Sequence, residues 1–134
     1  LAAAVADYRP KTVANQKIKK KGKEMQLELE KTPDIAASLG KIKKENQLII
    51  GFALETNNEE SNAKAKLIKK NFDFIVLNSL QDKGAGFNHD TNKVTILHRD
   101  NKQQKYELKS KRAVATDIAN EILDISTKRV DTFS

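Results

Sequence analysis

Asp7 closes a run of small apolar residues, Ala2-Ala3-Ala4-Val5-Ala6, and the lysine-rich string Lys17-Ile18-Lys19-Lys20 begins ten residues later. A carboxylate at the end of a buried strand can hold a ribose hydroxyl or a magnesium ion, and lysines can meet phosphates. An open α/β sheet places its ligand crevice at the carboxyl ends of its strands, and a mobile flap can cover it. Two more polar residues fall at expected strand ends: Glu55 after the apolar run Leu48–Ala53, and Asn78 after Phe74–Leu77. Lys66 and Lys70 are four apart on one helix and share a face. Gly51-Phe52 sits inside a buried strand, where glycine commonly marks close approach of a ligand or another backbone. Together these residues point to a nucleotide. Each also has a plainer use. Asp7, Glu55 and Asn78 can cap neighbouring turns, Phe52 can be core, and lysine runs are commonly solvated surface.

The chain has 134 residues, 38% hydrophobic and 32% charged, enough for one domain or part of one. No apolar run reaches the roughly 20 residues of a membrane helix, so no membrane partner is expected. The apolar start is too short for a signal peptide and lacks a basic flank. With no cysteine there is no disulfide, thiol nucleophile or cysteine–zinc site, and His89 and His98 are not at metal-ligand spacing. A cytoplasmic location fits. The net charge of +7 comes mostly from lysine. It suits polyanionic substrates, or a basic nucleotide- or nucleic-acid-binding module without catalysis. Against nucleic acid, residues 11–23 interleave no aromatics for stacking and cluster no arginines for base edges. No glycine-rich phosphate loop and no G-x-S-x-G elbow is present.

Leu1–Ala6 reads as a buried strand and Tyr8–Gly22 as a loop, mobile from about Lys11 because it has no apolar period to bury. Glu24–Lys31 alternates, with Met25, Leu27 and Leu29 on one side, as a half-buried strand does. Thr32-Pro33-Asp34 starts a helix: Thr32 caps, Pro33 takes the first position, and Ile35, Leu39 and Ile42 face inward up to about Lys44. Leu48–Ala53 is a second buried strand, central in the sheet. Asn57 or Asn58 caps the next helix, whose apolar set is Ala63, Leu67 and Ile68, extending to Phe72. Phe74–Leu77 is a third strand. Ser79–Thr91 is a loop containing Gly84 and Gly86. Lys93–His98 and Lys105–Lys109 form a hairpin through residues 99–102. Arg112–Ile125 is an amphipathic helix with Val114, Ile118, Ile122 and Ile125 inward, and 127–134 is a tail. This order implies an α/β fold: an open, mostly parallel, Rossmann-like sheet with helices on both faces and an antiparallel edge hairpin.

Seven strings carry a family likeness in order and spacing: Ala2–Tyr8 (AAAVADY), Lys17–Lys20 (KIKK), Thr32–Ile35 (TPDI), Ile50–Asn57 (IGFALETN), Ala63–Lys70 (AKAKLIKK), Asp73–Asn78 (DFIVLN) and Gly86–Val94 (GFNHDTNKV). On these strings the chain resembles the C-terminal part of bacterial phosphopantothenate–cysteine ligase, the synthetase portion of bifunctional coenzyme A biosynthesis proteins. Leu54 replaces the alanine more usual before the Glu-Thr pair. Residues 1–126 are then part of the ligase domain. Its upstream glycine-rich loop and Ser-Ser-Gly-Lys-type segment are not among these 134 residues.

The resemblance implies a two-step ligation. The carboxylate of 4'-phosphopantothenate attacks the α-phosphate of CTP, giving an acyl-cytidylate and pyrophosphate. The amine of cysteine then attacks the acyl group and releases CMP. It implies Mg2+ as cofactor, CTP as co-substrate and a homodimer in the full-length protein. It also assigns roles. Asp7 lies near the ribose or the metal, and Lys17 is the catalytic flap lysine over the acyl-phosphate. Phe52 lies beside the cytosine, and Lys66 and Lys70 lie near the triphosphate. Glu55 and Asn78 are further candidates at the same edge.

Overall fold

Phe74-Ile75-Val76-Leu77 has no polar side chain, so it is stable only where both of its faces are covered. In the computed structural model, which describes residues 6–19, 22, 25–79 and 90–132, all four residues are buried. They form most of β4 (Phe74–Ser79). The described residues fall into two units, split between Ile35 and Ala36.

In the larger unit β4 lies between β3 (Ile50–Glu55) and β6 (Val94–His98), and β7 (Gln103–Lys105) completes the order β3-β4-β6-β7. β3 and β4 run parallel, from Ile50 opposite Phe74 to Glu55 opposite Ser79. β4–β6 and β6–β7 are antiparallel. The described part of the sheet is therefore mixed, with one parallel pair and two antiparallel pairs. β3 is an edge strand of that described part. The expected strand at residues 1–6 lies outside the described residues apart from Ala6, which is irregular. A hairpin is present at the sheet edge with the expected turn, but its second strand is Gln103–Lys105 and not Lys105–Lys109. Its turn is closed by His98 N–H to the Lys102 carbonyl at 2.9 Å, with Asn101 left-handed at φ 64°. Lys109–Ser110 (β8) leaves that sheet and pairs instead with Thr91–Asn92 (β5).

Alternation along β4 divides the core. Ile75 and Leu77 pack with Ala53, Ala63, Leu67, Phe72 and Leu97, beneath α1 (Ile35–Ile42) and α2 (Glu59–Lys69). Phe74 and Val76 pack with Val94, Ile96 and Val114, beneath α3 (Lys111–Thr132). Helices cover both faces, as expected. Side chains such as Phe74 and Ile96, fully out of water, each contribute roughly 1.5–3 kcal/mol.

Several local expectations change. Thr32 does not cap α1; its hydroxyl donates to the Ala6 carbonyl at 2.6 Å, and the helix begins at Ile35. The residues expected inward on α1, Ile35, Leu39 and Ile42, are exposed. The buried position is Gly40, where a Cβ would collide with the Lys70 carbonyl. Helix α1 thus approaches the end of α2 backbone to backbone, and only glycine permits that contact. Ile68 is likewise exposed. Asn58 precedes α2 as expected, but it is left-handed (φ 48°) and its side chain makes no capping bond. α3 runs on to Thr132, through most of the expected tail.

Gly51 makes room for a ring, not for a ligand or a backbone: a Cβ there would lie 2.2 Å from Phe72 Cε2. Gly51→Ala should therefore destabilise the protein by about 1–3 kcal/mol through overpacking. Gly51→Ala combined with Phe72→Leu should recover part of that loss in urea unfolding. Equal midpoints for Gly51→Ala and wild type would contradict the packing.

Tyr106 packs on the α3 side of the sheet. Burial, and then Asp117, Glu121 and Asp124 on α3, raise its phenol above the ordinary value of 10.0. A raised folded-state pKa gives stability that is complete below the unfolded value and lost as pH rises through the folded one. Stability should therefore fall above about pH 10, and less steeply in Tyr106→Phe. Parallel pH profiles for the two proteins would count against this.

Candidate functional site

The carboxyl ends of β3 and β4 lie side by side, with Leu54 opposite Asn78 and Glu55 opposite Ser79. Period-2 alternation separates their side chains. Gly51, Ala53 and Glu55 face the α2 side, and Ile50, Phe52 and Leu54 face the α3 side. On the α2 side, Lys66 Nζ donates to Glu55 Oε1 at 2.5 Å. The Glu55 side chain is 13% exposed and the Lys66 side chain 46%. On the α3 side, Phe52 is half exposed and Leu54 is exposed beside it. Asn78 follows Phe74 and Val76 onto the same side. Its Oδ1 is buried and has no hydrogen-bond partner among the described residues.

Of the seven expected site residues, Glu55 and Lys66 are brought into contact, and Phe52 and Asn78 are diagonal neighbours on the opposite face of the same strand ends. Lys70 is the residue after α2, and its carbonyl lies against Gly40, toward the amino ends of the strands. Asp7 and Lys17 belong to the smaller unit. There β1 (Tyr8–Pro10) pairs antiparallel with β2 (Leu29–Lys31), and the Asp7 carbonyl accepts the Thr32 N–H at 3.0 Å. The Asp7 side chain is exposed, and Lys17 is exposed in an irregular segment. Met25 and Leu27, expected in a half-buried strand, precede β2 and are exposed, as is Leu29 within it. Gly84, Gly86 and His89 lie outside the described residues.

A polar cluster at the amino ends of the strands was not apparent from sequence. Lys43 Nζ lies 3.0 Å from Asp73 Oδ2, with side chains 10% and 5% exposed. Asp73 Oδ2 also accepts the Ile49 N–H at 2.6 Å, and Lys43 donates to the Asn71 carbonyl at 2.9 Å. Lys43 and Asp73 are thirty residues apart, and although Asp73 opens the string Asp73–Asn78 nothing in that string points to Lys43, so only the tertiary structure reveals the pair. Nearby a groove of about 770 Å³ is lined by His98, Arg99, Lys102, Glu121 and Asp124. It lies at the opposite end of the sheet from Glu55 and Asn78. Among the described residues no group of three or more histidines and carboxylates could hold a metal by itself, and no helix is long and apolar enough to cross a membrane.

The sequence profile of the DNA/pantothenate metabolism flavoprotein C-terminal domain matches residues 1–125. The chain belongs to this family. The coenzyme A biosynthesis bifunctional protein CoaBC of Bacillus subtilis is 47% identical over 124 residues, which is 92% of this chain and 30% of that protein. A cysteine/cysteine sulfinic acid decarboxylase from an unknown prokaryotic organism is 56% identical over 125 residues, 93% of this chain and 35% of that protein. The crystal structure of the C-terminal domain of a CoaBC superposes with a TM-score of 0.72 at 40% identity, covering 94% of this chain and 55% of that one. The chain thus spans about a third of the length of these curated relatives. Several of the relatives, among them those of Bacillus subtilis and Haemophilus influenzae, are named as coenzyme A biosynthesis proteins.

The amino-end cluster and the carboxyl-end candidates are separable by mutation. Removing one member of a buried ion pair leaves the other unpaired and costs about 3–5 kcal/mol. Asp73→Ala should lower stability by that much, with nucleotide affinity per folded molecule unchanged. A loss of affinity without a loss of stability, measured by calorimetry and denaturation, would place Asp73 in the site instead.

Proposed function

We propose that this region supplies the nucleotide-handling part of a CTP-dependent phosphopantothenate–cysteine ligase, which works through an acyl-cytidylate. The observation that carries the reading is the Glu55–Lys66 contact at the carboxyl ends of β3 and β4, with Phe52 and Asn78 across the same strand ends. It supports a phosphate handle on one face and a base handle on the other. An open, mostly parallel, Rossmann-like sheet belongs to the same reading. So do a cytoplasmic location and a homodimer of the full-length protein.

The roles follow from charge. Attack on the α-phosphate moves negative charge onto phosphate oxygens, and lysine ammonium groups stabilise it there. Lys66 meets the triphosphate, and Lys70, one helical turn farther toward the amino ends of the strands, is the weaker candidate for the same role, while Lys17, on an exposed segment, closes over the reacting acyl-phosphate and helps exclude water. Mg2+ commonly takes one or two carboxylates plus substrate phosphates. A lone carboxylate such as Asp7 fits that demand, where a protein-only cage does not.

Two other readings have specific motives. The net charge of +7 favours a non-catalytic basic nucleotide- or nucleic-acid-binding module. The relative named as a decarboxylase favours release of carbon dioxide from cysteine or its sulfinic acid. One set of assays separates all three. The ligase reading expects pyrophosphate release from CTP that needs phosphopantothenate, followed by CMP release that needs cysteine. Binding of a random oligonucleotide in preference to CTP and ATP, or carbon dioxide release without nucleotide, would replace it.

A lysine that meets the substrate mainly in the transition state lowers the barrier with little effect on ground-state affinity. In the full-length protein Lys17→Ala should lose about a hundredfold in turnover at saturating CTP, while Lys19→Ala stays near wild type. Lys66→Ala should instead raise KM for CTP. Near-normal turnover of Lys17→Ala would remove its catalytic assignment.

A further inference from the structure

Lys66 is a long side chain on the open face of α2, yet its ammonium is fixed. Glu55 holds it at 2.5 Å, and the two members differ in setting. Glu55 is 13% exposed and ends a strand locked into a six-residue parallel register, whereas Lys66 is 46% exposed. A pair whose lysine stays this exposed adds little to stability, so the contact is poorly explained as a strut for the fold. An ammonium has three N–H donors, and Glu55 uses one. The others are left for a ligand at the carboxyl edge.

We propose that Glu55 is a positioning residue: it anchors Lys66 so that the ammonium is pre-aimed at the polyphosphate of the nucleotide. This rests on the nucleotide reading of the site and adds how the site achieves its affinity. Two effects of Glu55 oppose each other. Its carboxylate repels phosphate, but the Lys66 ammonium in contact with it offsets that charge. Without the anchor, every rotatable bond of the lysine side chain is released and must be ordered again when nucleotide binds. Anchoring wins, because ordering is local and has no such offset.

The test is a double-mutant cycle in the full-length protein, reading CTP and CMP affinity alongside steady-state kinetics. Glu55→Ala should raise KM for CTP about fivefold with the effect on KM rather than kcat, and should move CMP affinity less than twofold. Glu55→Gln, which keeps an oxygen acceptor, should recover part of the loss. In a Lys66→Ala background, Glu55→Ala should add nothing. If Lys66→Ala weakens CTP while Glu55→Ala leaves it unchanged or tightens it, the positioning role is overturned and the nucleotide site stands. Independent, additive losses would also overturn it. If Lys66→Ala itself leaves CTP affinity intact, the nucleotide reading of this edge falls, and the positioning role falls with it. Thermal unfolding of every variant separates these outcomes from loss of fold.

Discussion

Lys43 and Asp73 are both nearly out of water, and each gives the other its charged partner there. Their contact reaches well beyond two side chains. Asp73 accepts the N–H of Ile49, one residue before β3, and itself stands one residue before β4. Lys43 follows α1 and donates to the Asn71 carbonyl in the turn between α2 and β4. Asn71 is left-handed (φ 55°), donates to the Gly40 carbonyl of α1 at 2.7 Å, and accepts from Arg99 at the β6–β7 turn. Arg99 also donates to the Phe72 carbonyl at 2.8 Å. One polar cluster therefore ties α1, the α2–β4 turn, the starts of β3 and β4, and the hairpin tip. Each buried polar group in it answers another, which is the condition for such a network to rigidify a fold.

With the amino ends of β3 and β4 fixed, their carboxyl ends are fixed as well. The parallel register runs without a bulge from Ile50 and Phe74 to Glu55 and Ser79. Strict alternation over that length decides which handle faces which side. Glu55 meets Lys66 beneath α2, while Phe52 and Asn78 take the α3 side. A ligand engaging both sets must straddle the strand ends. A nucleotide has the form for that, because its base is flat and apolar and its phosphates are charged and distant from the base.

Much of this arrangement was legible in the sequence. The buried strand at Phe74–Leu77, the helix starting at Glu59 and the turn at residues 99–102 follow from apolar runs, acidic first-turn residues and turn chemistry, whereas the apolar run Leu48–Ala53 marks a strand that is only half buried, with Phe52 exposed. What was not legible came from contacts between distant residues. The face of α1 was misjudged because Ile35, Leu39 and Ile42 form an amphipathic stripe on paper, whereas the close backbone approach at Gly40 selects the other side. Gly51 stands out within an apolar strand, but nothing in the sequence pairs it with Phe72. The direction of β6 relative to β4 is set by pairing, which no local pattern encodes.

The two lysines of α2 show most clearly how a spacing rule runs out. Lys66 and Lys70 are four apart, and the sequence offers no reason to rank them. In the fold they stand in different settings. Lys66 reaches the carboxyl end of β3, where a nearly buried carboxylate holds it. Lys70 follows the last turn of the helix, and its carbonyl is pressed against Gly40 by the packing of α1. Its backbone is committed to the helix–helix junction, so its position answers to the stability of that junction. The position of Lys66 answers to Glu55. The junction with α1 holds the backbone of Lys70, whereas at Lys66 the charge itself is held, by one carboxylate.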